Sequence, residues 1–313
     1  MKRVLLVLGI TVLVAVALLV GRAFFLAQRA DYGWDPPAVQ PTFTSEHPRV
    51  LFDEGHYNAS TAGFAGRYWP FARLLRADGY ILQRGHGALT RDVLRGVRIL
   101  VIANAAGAPK PQLFGINLPV PTDKGRSDPA FTEAEVEVVL SWVEEGGSLL
   151  LIADHAPFGE AAAALGSAMG VTMNKGFVEV PGELSDPLLF SVDNGRLGEP
   201  PIITGNGSTT AVSRVMTYTG QSVDGPPDAT VLLSLPHGAL EAVPAGGDTL
   251  VERPAGRGQG LAFEFGRGRV VVLGEGGMVT AQVSRRVAYG INSPDNDNRI
   301  FVLNVMKWLS RRL

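Results

Sequence analysis

Two stretches of this chain are apolar at almost every position: RILVIANA at 98–105 and SLLLIADH at 148–155. A strand with one face in water alternates polar and apolar residues, so runs like these must be buried on both faces. Their length suits strands rather than helices. Between them Thr132 opens a helix, with Glu135 three residues on forming a capping box. Val136, Val139, Leu140 and Val143 make its apolar face, and Gly146-Gly147 ends it. The alternation extends both ways. Strands are expected at 50–52 and 80–83, helices at 68–77, 160–169 and 299–309, and a hairpin from LAFEF and RVVVLGE across Gly266-Arg267-Gly268. Strands alternating with helices predict an α/β domain with a parallel sheet covered on both faces and joined by right-handed crossovers. The Gly-, Pro-, Ser- and Thr-rich part at about 171–250 reads as an irregular insertion with added antiparallel strands.

The amino-terminal end follows a different rule. Lys2 and Arg3 precede seventeen uncharged residues at 4–20, a helix of roughly 25 Å. It is apolar all round, which suits lipid rather than a core. Arg22, Phe24, Phe25 and Arg29 make a poor cleavage region, so residues 1–27 are expected as an uncleaved transmembrane anchor. The flanking charges favour an inside amino terminus and a domain outside the cytoplasm. Residues 28–48 carry Pro36, Pro37, Pro41 and Pro48 and predict a stiff stem. The α/β domain then spans 49–313. A net charge of −2 gives no electrostatic case for nucleic acid.

Three polar clusters follow apolar strands: Asp53, Glu54, His56 and Asn58; Asp154 and His155; Glu275, with Gln282 soon after. Parallel strands point their carboxyl ends the same way, so all are expected at one sheet edge, where open α/β sheets bind ligands. Catalytic candidates are His155, Asp154, His56, Glu54 and Glu275, as base and orienting carboxylate. Two histidines with acids could also hold a divalent metal, but no H-E-x-x-H spacing is present. The 107–131 loop, with five prolines, leaves a strand at the same edge and reads as a lid. GEGGMV at 274–279 lacks the third glycine of a dinucleotide fingerprint. NSPDNDNR at 292–299 lacks the glycine and closing glutamate of an EF-hand, and reads as a turn with Asp297 or Asn298 capping the last helix. No G-x-S-x-G elbow supports a serine hydrolase.

VLFDEGHYN, LVIANA, PAFT-x-x-E, GGSLLLIADHAPFG, GRVVVLGEGGMVTAQ and NDNRIFVLNVMKWL together resemble an uncharacterised bacterial family with a class I glutamine-amidotransferase-like domain. That domain is similar to one in gliding-motility transporter auxiliary proteins and in an intraflagellar-transport subunit, for which sugar binding has been suggested. The resemblance covers about Val50 to Leu309 and implies a flavodoxin-like, mostly parallel sheet; with the apolar segment at 4–20, a single-pass location in the bacterial inner membrane is expected. Amidotransferases carry a cysteine nucleophile at a sharp turn after a strand. Here that turn corresponds to Ala153-Asp154-His155, and the chain has no cysteine. Glutamine hydrolysis by that route is excluded. The leading expectation is a membrane-anchored, non-enzymatic domain that binds a small-molecule, glycan or cell-envelope ligand without cofactor. A hydrolase using histidine and carboxylate, or a metal, is the alternative.

Overall fold

The computed structural model describes residues 10, 11, 13, 14, 17, 18, 21, 22, 25–37, 40–64, 66–109, 112, 113, 116, 117, 127–184, 186–207 and 210–313. The two apolar runs become β4 (Ile99–Ala103) and β7 (Ser148–Ile152), buried at every position. With β2 (Arg49–Asp53), β3 (Ile81–Gly85) and β17 (Gly268–Leu273) they form five parallel strands in the order β3-β2-β4-β7-β17. By chain order this is 2-1-3-4-5, the flavodoxin-like winding, with its switch point between β2 and β4. Alternate side chains feed two cores. Leu150 and Ile152 of β7 face α1 (Trp69–Ala77) and α4 (Asn298–Leu309). Leu149 and Leu151 face α2 (Glu133–Glu144) and α3 (Phe158–Ala168). Both faces are therefore covered, which is why β4 and β7 are apolar except for Ser148, whose buried hydroxyl donates to the Leu309 carbonyl at 2.8 Å. β3, at the sheet edge, is the half-exposed exception.

The LAFEF hairpin is confirmed: β16 (Gly258–Phe265) pairs antiparallel with β17. Within the stretch at about 171–250, three short strands extend the same sheet. β13 (Thr230–Ser234) and β12 (Val223–Asp224) both pair with β16, and β8 (Thr172–Met173) pairs with β12. Short strands with few apolar residues hid this contribution, because pairing partners decide their place more than their own pattern. Outside the sheet, β9 (Phe177–Glu179), β14 (Leu240–Gly246) and β15 (Thr249–Pro254) form an antiparallel trio, and β10 (Leu188–Ser191) pairs with β11 (Arg214–Thr217). β5 (Gln112–Leu113) and β6 (Ile116–Asn117) pair within the long loop, of which residues 110, 111, 114, 115 and 118–126 lie outside the described residues.

In 28–48, expected as a stiff, extended stem, several of the described residues contact the domain. β1 (Arg29–Ala30) pairs with β18 (Ala281–Ser284), which pairs in turn with β19 (Val287–Gly290). Ala30 and Phe43 are buried, and Thr42 donates backbone N–H and hydroxyl to Asp78 Oδ1 at 2.9 and 2.7 Å. An extended, proline-rich backbone leaves its polar groups available for an edge, and β18 supplies one. Most of the expected anchor at 1–27 lies outside the described residues, and among those described no helix is long and apolar enough to cross a membrane.

The α2 capping box is present. Asp297 precedes α4 but its side chain does not cap it. Its Oδ2 accepts the Ser213 N–H and hydroxyl at 2.8 and 2.7 Å, and the Arg214 N–H at 3.1 Å, tying α4 to β11.

Candidate functional site

The carboxyl ends of β2, β4, β7 and β17 surround one polar pocket of about 210 Å³. Ser60 comes from the chain beyond β2, Asn104 from the end of β4, Asp154 and His155 from the end of β7, and Gly276 from the turn after β17. Arg67 and Tyr68, just before α1, close one side; Thr280 and Gln282 close another. Asn104 occupies the left-handed region (φ 50°), where asparagine is among the few tolerated residues. Its Oδ1 accepts the Asp154 N–H at 2.9 Å, so the ends of β4 and β7 are locked together.

Asp154 is the centre of the pocket. Its Oδ1 accepts the His155 N–H at 2.8 Å and its Oδ2 the Gly276 N–H at 3.2 Å. Each oxygen keeps a lone pair for a further donor. His155 Nδ1 lies 2.7 Å from the Ala156 carbonyl, which can only accept, so Nδ1 donates, and no hydrogen bond within the described residues occupies Nε2. The ring stacks on Phe177 of β9, with centroids 4.9 Å apart. Gln221 donates to the Ala153 and Asp154 carbonyls at 2.8 and 3.1 Å and fixes the turn from behind.

Two polar atoms here have no hydrogen-bond partner among the described residues: Arg67 Nε and Gln282 Oε1. Gln282 is only 3% exposed, and its Nε2 donates to Thr280 Oγ1 at 2.7 Å. Most buried polar groups are paired, so each exception calls for an explanation. Burial weakens the hold of the Arg67 guanidinium on its proton, and the Tyr68 and Asp154 groups partly offset this. Burial pushes the Tyr68 hydroxyl well up, and the charges of Asp154 and Glu275 push it further.

The other expected site residues fall elsewhere. His56 is buried between two carboxylates: Nδ1 to Asp53 Oδ1 at 2.7 Å and Nε2 to Glu135 Oε1 at 2.9 Å. Asn58 donates to Asp53 Oδ2 at 3.2 Å and to the Ala103 carbonyl at 3.1 Å. Phe131 covers the imidazole, with ring centroids 4.6 Å apart. With both ring nitrogens occupied, this group ties β2 and β4 to the start of α2 rather than facing the pocket. Glu54 is taken up by Arg84, whose Nε and Nη2 donate at 2.9 and 2.6 Å, and by the Ala62 N–H at 2.8 Å. Glu275 folds back on its own chain, accepting the Gly277 N–H and, at 2.7 Å, the Met278 N–H. Burial raises its pKa well above the ordinary value, and the neighbouring Asp154 charge adds to this. Asp154, His155 and Gln282 thus share the pocket, while Asp53, Glu54, His56, Asn58 and Glu275 build its supports. Among the described residues no three His, Asp or Glu side chains are grouped to hold a metal ion.

No protein-family model matches the chain, and no curated protein matches it. Solved structures do. The N-terminal domain of mmIFT52 aligns over 83% of this chain and 97% of that domain, with a TM-score of 0.54 at 18% identity. The two share a fold. A cytoplasmic protein of Salmonella typhimurium LT2 aligns over 84% of this chain and 98% of its own, with a TM-score of 0.45 at 13% identity. The expected relation to an intraflagellar-transport subunit therefore holds at the level of fold, on the first of these matches alone.

Five polar pocket residues escaped the sequence reading: Ser60, Arg67, Tyr68, Asn104 and Thr280. Asn104 was visible as the polar residue ending an apolar strand. Ser60, Arg67 and Tyr68 lie in irregular chain between β2 and α1, where no periodicity marks which side chains turn inward.

Proposed function

We propose that this chain is a membrane-tethered binding domain whose strand-end pocket takes one small polyhydroxylated ligand, such as a single sugar unit of a cell-envelope glycan. The observation that carries this reading is that two residues lining the pocket, Arg67 and Gln282, each hold a buried polar atom with no partner among the described residues, Arg67 Nε and Gln282 Oε1. One donates and the other accepts, and Asp154, which lines the same pocket, adds two acceptor oxygens. A hydroxyl both donates and accepts, so neighbouring hydroxyls match such a mixed lining better than a simple anion or cation does. The volume of about 210 Å³ is below the roughly 300–1,000 Å³ of pockets for drug-sized ligands, which favours one ring over an extended chain. Tethering draws on the apolar segment at 4–20.

Isothermal titration of the full chain in detergent against a panel of monosaccharides, sugar acids and polyols tests the pocket. Saturable binding is expected, weakened at least tenfold by Asp154→Asn. A second variant guards against misfolding. Gly276 has φ −104°, which alanine accepts, but a Cβ there would lie 2.6 Å from Tyr68 Oη and 3.3 Å from Asp154 Oδ2. Gly276→Ala should therefore weaken binding by intruding on the pocket. No saturable binding across the panel would sink the reading.

One observation supports hydrolysis instead: the bare His155 Nε2 beside Asp154 suits a general base acting on water. Turnover of a glycoside or ester by the full chain, lost in His155→Gln, would favour that reading.

A further inference from the structure

Arg285 and Arg286 are the whole turn of the β18–β19 hairpin, since Ser284 pairs with Val287 across it. Both have left-handed backbones, at φ 48° and 66°. Positive φ at both central positions marks a type I′ turn, which favours Asn-Gly and disfavours larger L side chains. Two arginines are a poor local choice, and an outlier of this kind points to a use for the side chains. Both residues are exposed, and Val287 beside them is 54% exposed.

This turn meets the carboxyl end of the apolar amino-terminal segment. The Arg285 N–H donates to the Phe25 carbonyl at 3.1 Å, and the Ser284 hydroxyl to the Leu26 carbonyl at 2.9 Å. The Arg286 guanidinium sits 6.0 Å from the Phe25 ring centre. Upstream, Leu13 and Leu18 are 70% and 69% exposed. Uncovered apolar surface thus passes directly into exposed positive charge, the order of groups met in crossing from acyl chains to anionic headgroups.

We propose that the Arg285-Arg286 turn is a membrane-surface clamp. Its guanidinium groups grip the phosphates of anionic phospholipids, a match their planar donor geometry suits, while Val287 and Phe25 rest at the acyl boundary. Gln282 lies three residues back along β18, about 10 Å at strand rise, so the clamp would hold the pocket close above the bilayer. The proposal rests on reading residues 1–27 as a membrane anchor, and not on the identity of the pocket ligand.

The chain has no cysteine, so one introduced cysteine is a unique spin-label site. The full chain is placed in nanodiscs of phosphatidylglycerol with phosphatidylcholine, or of phosphatidylcholine alone. Labels at Val287→Cys, Leu13→Cys and the 63% exposed Val192→Cys are compared by accessibility to oxygen and to a water-soluble nickel chelate. With phosphatidylglycerol, the Val287 label should show at least twofold higher oxygen-to-nickel accessibility than the Val192 label. That excess should vanish in phosphatidylcholine alone, and in the Arg285→Asn, Arg286→Gly background, which suits the type I′ turn and removes both charges. A water-exposed Val287 label beside a lipid-exposed Leu13 label overturns the clamp and leaves the anchor standing. A water-exposed Leu13 label overturns both. An excess at Val287 that ignores lipid charge overturns the headgroup contact.

Discussion

Gln282 shows at the residue scale how a binding site can oppose stability. Its buried Oε1 has no partner among the described residues, and an unsatisfied buried acceptor costs about 1–3 kcal/mol. Gln282→Leu is therefore expected to raise stability by about 1 kcal/mol in urea denaturation while abolishing ligand binding. Unchanged stability with intact binding would mean the amide does not face a ligand. The buried His56 behaves differently. Burial disfavours its charge, but the hydrogen bonds and charges of Asp53 and Glu135 outweigh this and raise its pKa. Burial also works against the Glu135 charge, yet the Thr132 N–H and hydroxyl, His56 and the Leu89 N–H hold it at about 2. The His56 contribution is full below its ordinary 6.5 and lost as pH rises through the raised value. The Glu135 contribution is full above its ordinary 4.5 and lost as pH falls toward about 2. Stability from this group should therefore peak between those ordinary values and fall on either side, by about 1 kcal/mol or more on the acid side. His56→Gln should flatten the alkaline fall in denaturation measured against pH. From the sequence Asp154 and His155 were legible because they end an apolar strand. Glu135 was legible only as half of a capping box, since its other partner, His56, lies 79 positions away.

At the scale of the element, that capping box has two tasks. Thr132 receives the Glu135 N–H at 3.3 Å and returns its own N–H and hydroxyl to Glu135 Oε2 at 3.0 and 2.7 Å. Thr132→Ala should cost about 1 kcal/mol as a lost helix cap. It also removes a hydrogen bond that keeps Glu135 ionised, so the acid-side fall should move to higher pH. Denaturation of the variant across the acid range checks both, and an unmoved acid limb would separate cap from cluster. Elements with a strong pattern of their own were the legible ones: β4 and β7 follow from continuous apolar runs, and α2 from a 3.6-residue period on one face. β8 and β12, two residues each, carry no pattern of their own. β12 is a strand because β16 offers an edge, and β8 because β12 offers the next one, which is a property of the assembled sheet. The 28–48 segment was misjudged for a related reason. Its prolines signal extended chain correctly, but extended chain in water and extended chain along a sheet edge share the same composition.

For the whole molecule, the folding unit reaches back to β1. A chain begun at residue 28 should fold like the full domain, whereas one begun at Arg49 loses β1 and the buried Phe43. Removing a buried phenylalanine alone costs about 3–5 kcal/mol, so the shorter chain should melt markedly lower in a thermal scan and expose the β18 edge. Equal melting temperatures would restore the free stem. The flavodoxin-like winding was legible because strand and helix signals alternate, while the closing of the two chain ends on one another was not, since nothing local encodes it. That closure also sets an order in time. Ala30 faces Gln282 in register, and the ribosome adds about 250 residues between them, roughly ten seconds to a minute of synthesis at 5–20 residues per second. The strand nearest the start of the chain has to wait, unpaired, for a strand made near the end. A nascent chain could therefore build β2, β4 and β7 early, yet lack the Gln282 wall of its pocket until β18 has been made. Only from then on could the proposed pocket close around a ligand.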